Sequence, residues 1–438
     1  MTDSPPSTRS ADSALEAAYA PHDLPPPSSL LRRLGPGLIT GAADDDPSGI
    51  ATYSQVGAQF GYGLAWTMLF SLPFMIIIQE ISGRMGAVTG RGIADNLRRH
   101  YNPWLVRGIV LLLLVANAIN LGADLGAMGA AVRLLAGGNA RLYTVSFAVL
   151  CIIAEVFLSY GFYSRILKWL TLSLFTYVAV VFAVHVPWTR ALYATFIPHL
   201  AFGNGQAMAL VAVLGTTISP YLFFWQASLE VEDLAKRNAR PLCLSPAAAR
   251  PQLARIRTDT IVGMTMSNLV AVFIIFATAA TLNASGITTI QTSSQAAEAL
   301  RPIAGDLTFV VFAAGIVGTG LLAIPVLAGS GAYALSEVFR WRRGLDRRLL
   351  QAKSFYATIA VSTIVGVSLN FTRLDPVKAL YWSAVLNGVI AAPVMAVIML
   401  AASNGRIMGR LTIGPVLRVG GWAATLVMAA ASVAFFVL

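Results

Sequence analysis

The feature that most constrains this chain is a succession of long apolar runs separated by short basic clusters. A helix needs about 20 residues to cross the hydrocarbon core of a bilayer. Eleven stretches qualify, near residues 36–58, 63–83, 105–131, 142–160, 164–186, 206–232, 258–282, 307–338, 354–371, 377–402 and 414–437. The segment from Arg190 to Glu230 is too long for one span, and Gly203-Asn204-Gly205 supplies a turn within it. Only 12% of the 438 residues are charged and 56% are hydrophobic, with a mean hydropathy of +0.69. Too little polar surface exists to cover one water-soluble core. A soluble enzyme, a secreted disulfide scaffold and a disordered chain are excluded, and the expectation is an all-α polytopic membrane protein. Residues 1–33, rich in Ser, Pro and Ala and without the apolar stretch of a signal peptide, read as a disordered cytoplasmic tail.

The net charge of +11 raises nucleic acid as a partner, but the basic residues sit between spans, where they orient a membrane protein. With the N-terminus in the cytoplasm and the C-terminus outside, 25 of the 31 Lys and Arg fall on the inner side, including Arg98-Arg99, Lys236-Arg237, Arg255/Arg257 and Arg340 to Arg343. The outer six are Arg133, Arg141, Arg190, Arg301, Arg373 and Lys378. A bacterial-type inner membrane is expected, with no nucleic acid and no obligatory protein partner. Cys151 and Cys243 form neither a disulfide framework nor a metal set. No G-x-x-x-x-G-K-[ST] loop, H-E-x-x-H pair or Gly-x-Gly-Asp is present, so the chain is not expected to be an enzyme or to need a cofactor.

Spans one and six share an unusual feature: each carries proline and small polar residues at mid-membrane depth. The first reads Asp44-Asp45-Asp46-Pro47-Ser48-Gly49, the sixth Gly215-Thr216-Thr217-Ile218-Ser219-Pro220. A proline in a membrane helix alone is only a kink. Two interruptions at matching places point to an inverted-repeat transporter with a midplane site. The expected organisation is a first five-helix repeat over 34–190, a second over 191–402, and an additional helix in 403–438.

Ionisable groups inside a bilayer are costly and usually functional. Asp46 is the strongest, because Pro47 frees carbonyls beside its carboxylate. Facing it, Thr216 and Thr217 offer carbonyls and hydroxyls and Ser219 a hydroxyl, all hard oxygen donors suited to magnesium, calcium or manganese. Neighbours on a helix diverge by about 100°, so Asp44 and Asp45 either line the approach path or pair elsewhere. Asp124 is the second buried acid, a proton acceptor, a charge at the site's rim or a helix contact. Glu80, Glu155 and Glu337 lie nearer span ends and read as interfacial charges. Asn117, Asn120, Asn268 and Asn387 read as helix–helix hydrogen-bonding groups, and the glycines at 122 and 315–320 as packing positions. His22, His100, His185 and His199 all lie outside span centres, which argues against imidazole ligands.

These residues resemble the Nramp divalent-metal transporters. Gly35-Pro36-Gly37 followed by Asp46-Pro47-Ser48-Gly49 is similar to the family's G-P-G/A and D-P-G-N; Met85 to Gly90, after Gln79-Glu80, to its L-G-x-V-T-G; Ala123-Asp124-Leu125-Gly126-Ala127 to its T-D-L-A-E. The resemblance covers most of 34–402 and implies a LeuT-type (APC superfamily) fold: about eleven transmembrane helices, an inverted five-plus-five repeat plus one helix, and unwound helices one and six.

The departures matter as much. Gly49 stands where the family has an asparagine ligand, Ser219 where it has the methionine of A-T-V-M-P-H, Tyr221 where it has the histidine, and Ala127 where it has the third-helix acid. Losing a thioether removes a preference for softer manganese and iron. Smaller residues at 49 and 219 are expected to widen the site for a partly hydrated magnesium ion. The pattern is similar to the Nramp-related magnesium transporters. It implies Mg2+ import, with Mn2+ also accepted, by alternating access with weak or no proton coupling. Asp46, Gly49, Thr216 and Ser219 would hold the metal, with Asp45, Asp124, Thr217 and Tyr221 along the pathway or behind the ligands. The alternatives are a proton-coupled Mn2+/Fe2+ importer of the ordinary Nramp type, the same fold carrying a trivalent ion or organic solute, and a non-transporting sensor or scaffold.

Overall fold

In the computed structural model of the protein, the described residues are 35–157, 175–198, 204–345, 347–372 and 375–437. The expectations for the tail, the start of the fifth span, Gly203, His22, His199 and Arg373 lie outside them. In chain order the main helices are α1 (Pro36–Asp44), α2 (Pro47–Phe60), α3 (Trp66–Thr89), α4 (Ile93–His100) and α5 (Pro103–Ala136). They continue with α6 (Ala140–Phe157), α7 (Phe175–Ala183), α8 (Trp188–Phe196), α9 (Asn204–Thr217) and α10 (Pro220–Lys236). The last five are α11 (Pro246–Thr278), α12 (Thr308–Phe339), α13 (Lys353–Leu369), α14 (Pro376–Ala402) and α15 (Pro415–Val437).

Both expected interruptions are present. The first span is two helices, α1 and α2, of 9 and 14 residues, and the sixth is α9 and α10. Pro47 and Pro220 each occupy the first helical position of the second half. There the missing N–H is no loss and the fixed φ is already helical. Among the described residues, eight helical stretches are long and apolar enough to cross a membrane. The shortfall from eleven has physical sources: the first span is split, α13 has only 17 residues, and part of the fifth lies outside the described residues.

The bundle encloses α9, α10, α12 and α14, whereas α6 and α15 turn much of their apolar surface outward, with Leu142, Phe157, Val416 and Val433 exposed. The last helix, expected as an addition to the repeats, is thus peripheral. Close backbone approaches fix the broken helices. A Cβ added to Gly41 of α1 would lie 2.4 Å from the Gly263 carbonyl of α11, and one at Gly215 of α9 would lie 2.1 Å from the Ala384 carbonyl of α14. Gly122 meets Gly366 of α13 in the same way, 2.4 Å from its carbonyl. Gly122, read as a packing position, is therefore a helix crossing, while Gly320 packs against the Met128 side chain.

Candidate functional site

Asp46 is the hinge between α1 and α2, in extended conformation at the N-cap of α2. Its Oδ1 accepts the Gly49 N–H at 2.7 Å, satisfying one of the donors left open at a helix start. Its Oδ2 accepts from Asn120 Nδ2 and from the Tyr221 hydroxyl, both at 3.1 Å. Three elements, α2, α5 and α10, thereby converge on one carboxylate that is 2% exposed. Ser383 of α14 supports Asn120, its hydroxyl 2.7 Å from Asn120 Oδ1, and Ser48 lies 3.2 Å from Ser383 Oγ.

Asp124, also fully buried, lies within the repulsive field of Asp46. The Ser48 backbone bears on it but falls outside hydrogen-bond geometry, so neither of its oxygens has a hydrogen-bond partner among the described residues. Two neighbouring buried carboxylates without a cation between them are strongly disfavoured; a positive ion or a proton relieves them.

Several expectations need correction. The Ser219 hydroxyl turns back along α9, donating to the Gly215 and Thr216 carbonyls at 2.9 Å each, which leaves its oxygen lone pairs open to a cation. The Thr217 hydroxyl likewise donates to Val213 O at 2.9 Å and faces its own helix. Gly49 does not open a void. A Cβ there would lie 3.1 Å from Thr216 Oγ1, 3.3 Å from the Tyr53 ring and 3.4 Å from the Asp44 carbonyl. Those neighbours have closed in, and Thr216 faces the break. Tyr221, expected along the pathway or behind the ligands, bonds Asp46 from behind. Asp44 and Asp45 turn to α11, where Ser267 Oγ lies 2.7 and 3.2 Å from their carboxylates.

Glu80, Glu155 and Glu337 are buried rather than interfacial. Glu80 pairs with Arg84 at 2.6 Å, and Glu337 accepts the Asp95 N–H at 3.1 Å. Asn117 and Asn120 both behave as expected of helix-bridging amides: Asn117 donates to Leu327 O at 2.8 Å, and Asn120 joins Ser383 of α14 to the Asp46 carboxylate. Sequence reasoning also missed Asp259 of α11, whose carboxylate accepts the Gly35, Gly37 and Leu38 N–H groups at 2.9, 2.7 and 3.0 Å. Beside it Arg255 bonds Glu230 of α10 and lies 4.0 Å from Asp259.

Among the described residues no three His, Cys, Asp or Glu side chains converge as metal ligands. A cation at the breaks would be held by one carboxylate with carbonyl and hydroxyl oxygens. A cavity of about 910 Å³ opens at one end of the bundle beside Arg133, Arg141 and Asp375. A neck of about 20 Å³ follows, lined by Ile50, Ser54, Ala127 and Leu380, with Ser293 and Val377 lining both. The neck ends at the first turn of α2, where the Ile50 N–H bonds the Asp46 carbonyl at 3.0 Å. The site itself is closed.

A bundle with two facing broken helices and buried carboxylates at the break is an integral membrane protein of the LeuT type, and solved structures bear this out. A manganese transporter from Eremococcus coleocola, in complex with an aromatic bis-isothiourea compound, superposes with a TM-score of 0.72 at 14% identity, covering 94% of this chain and 89% of that one. Mhp1, a nucleobase-cation-symport-1 family transporter, matches with a TM-score of 0.58 at 15% identity, covering 94% of each. The profile of the family described as "Nramp: Natural resistance-associated macrophage protein-like" matches residues 37–438. The chain belongs to the Nramp family, which is a transporter family rather than an enzyme family. Its relatives include the divalent metal cation transporter MntH of Klebsiella pneumoniae, 26% identical over 405 residues that cover 90% of each chain. That of Xanthomonas campestris pv. campestris is 27% identical over 420 residues, 92% of this chain and 90% of the other.

Proposed function

We propose that this protein carries a divalent metal cation across the membrane by alternating access, with Asp46 as the one direct anionic ligand. The observation that carries the proposal is a buried carboxylate held by Asn120 and Tyr221 where two broken helices meet. The relatives' names support a divalent metal cargo, and the E. coleocola structure supports manganese in particular. Mn2+ is therefore the first cargo, ahead of the Mg2+ expected from the residues at 49 and 219.

Mg2+ stands second, supported by a serine at 219 where the family has a thioether, and placement in the magnesium-transporting branch rests on Gly49, Ser219, Tyr221 and Ala127 alone. Asp124 is the carboxylate placed to take a proton, because it lies beside Asp46 with no hydrogen bond of its own. The repeats run over 34–190 and 191–402 with 403–438 added. The N-terminus is cytoplasmic, the C-terminus outside, and the cavity beside Arg133 is the outer vestibule. The membrane potential alone contributes about 2.3 kcal/mol per charge per 100 mV to inward movement of a cation.

Uptake into proteoliposomes, with Mn2+ and Mg2+ in competition and an internal pH dye, tests this. Saturable Mn2+ uptake abolished by Asp46→Ala is expected. Acidification in step with metal that Asp124→Asn abolishes assigns Asp124 the proton, and the absence of acidification makes the flux potential-driven. Mg2+ flux that Mn2+ barely inhibits would reverse the order of cargoes. Normal flux of both ions in Asp46→Ala would remove the site.

A further inference from the structure

At the end of the bundle opposite the Arg133 cavity, α4 and the end of α12 enclose a pocket of about 700 Å³ lined by Arg91, Arg98, Arg99, Arg340 and Arg343, with Asp95 and Glu337 as its only carboxylates among the lining residues. Both carboxylates are already engaged. Asp95 Oδ1 holds Arg98 at 2.6 Å and Arg99 at 3.2 Å. Burial would raise the Asp95 carboxyl, but Arg98 and Arg99 outweigh it and hold it below the usual range. Glu337 takes Arg343 at 3.4 Å and the Asp95 N–H at 3.1 Å. Five guanidinium charges face two carboxylates. The exposed Arg340 side chain has no ion pair or hydrogen bond among the described residues, and Arg91 comes only to 3.9 Å of Asp95. The pocket carries charge for an anion.

Beside it runs an apolar groove of about 540 Å³ between α5, α12 and α13, lined by Val115, Ile119, Leu335, Trp341, Val361 and Val365 among others. Its α13 wall extends from Ser354 to Leu369, about 22 Å of helix. A third hollow of about 520 Å³ shares Glu337 and Arg343 with the pocket and Trp341 with the groove, joining the two. Aromatic rings mark the level of the junction. Phe339 stacks on Trp341 at 5.2 Å, and Trp104, 75% exposed, lies under Arg107 at 5.3 Å. Such rings gather at the headgroup level of membranes.

We propose that the arginine pocket binds the phosphate of an anionic phospholipid whose acyl chain lies in the adjoining groove. Basic pockets between membrane helices suit such headgroups. A soluble phosphate would use the arginines and leave the groove unexplained.

The test is native mass spectrometry of the full chain from a neutral detergent, offered phosphatidylglycerol, phosphatidylcholine or inorganic phosphate. Wild type should retain phosphatidylglycerol over phosphatidylcholine, and Arg340→Gln should cut that preference about fivefold, the value of one arginine near the headgroups. Ala357→Trp, which fills the groove from the exposed face of α13, should lower retention of both lipids while leaving the elution profile unchanged. Equal retention of the two lipids by wild type, or an unchanged preference in Arg340→Gln, would overturn the proposal. Displacement of phosphatidylglycerol by inorganic phosphate would also overturn it, making the pocket a site for the free ion.

Discussion

Asp46 divides its two oxygens: Oδ1 caps α2, while Oδ2, held by Asn120 and Tyr221, is the proposed metal ligand. The two are separable. Asparagine caps a helix as well as aspartate, so Asp46→Asn should keep the unfolding temperature near wild type and lose metal uptake. Asp46→Ala should lose uptake and about 1 kcal/mol besides. Thermal unfolding and uptake on the same preparations distinguish them. Gly49 sets the opposite constraint. Asparagine at 49 must push aside Thr216 Oγ1 and the Tyr53 ring. We expect Gly49→Asn to cost about 1–3 kcal/mol by overpacking, and Thr216→Ala to restore part of it; chemical denaturation measures both. Asp46 and Asp124 were legible in the sequence because a charge in an apolar run is conspicuous. Asn120, Ser267, Ser383 and Asp259 were not, since their partners lie 74 to 263 residues away and their own neighbourhoods look like ordinary helix.

At the scale of elements, α1 is held by its start and by its face. Asp259 accepts three N–H groups at its N-terminus, where the helix dipole favours a negative charge, and Gly41 lies backbone to backbone on α11. Arg255 is 4% exposed between Glu230 and Asp259. Its removal leaves buried carboxylates without compensation, so Arg255→Met should destabilise the protein by about 3–5 kcal/mol. Adding Glu230→Leu should recover part of the loss; a smaller deficit for the single variant than for the pair would refute the network. The breaks themselves were legible, because Pro47 and Pro220 dictate where a helix restarts. The cap on α1 was not. Asp259 follows Arg255 and Arg257 at a span's edge, which in sequence reads as a solvated charge.

For the whole molecule, the basic residues separate to two ends, Arg133 and Arg141 around one cavity and Arg91, Arg98, Arg99, Arg340 and Arg343 around another. Charge counting anticipated this division, since it depends on loops rather than on packing. Cys243 is exposed and Cys151 buried, so the natural chain carries its own reporter. A membrane-impermeant maleimide should label Cys243 only after cells are opened, and labelling of intact cells would invert the topology. The glycine crossings carry a consequence of another kind. At positions 41, 215 and 263 the first carbon of any side chain would fall 2.1 to 2.4 Å from a neighbouring backbone atom. The obstacle is met before side-chain size begins to count. In a saturation library selected for growth on scarce metal, alanine at these positions should be as rare as tryptophan, in a chain whose lipid-facing helices accept one apolar residue for another with little distinction.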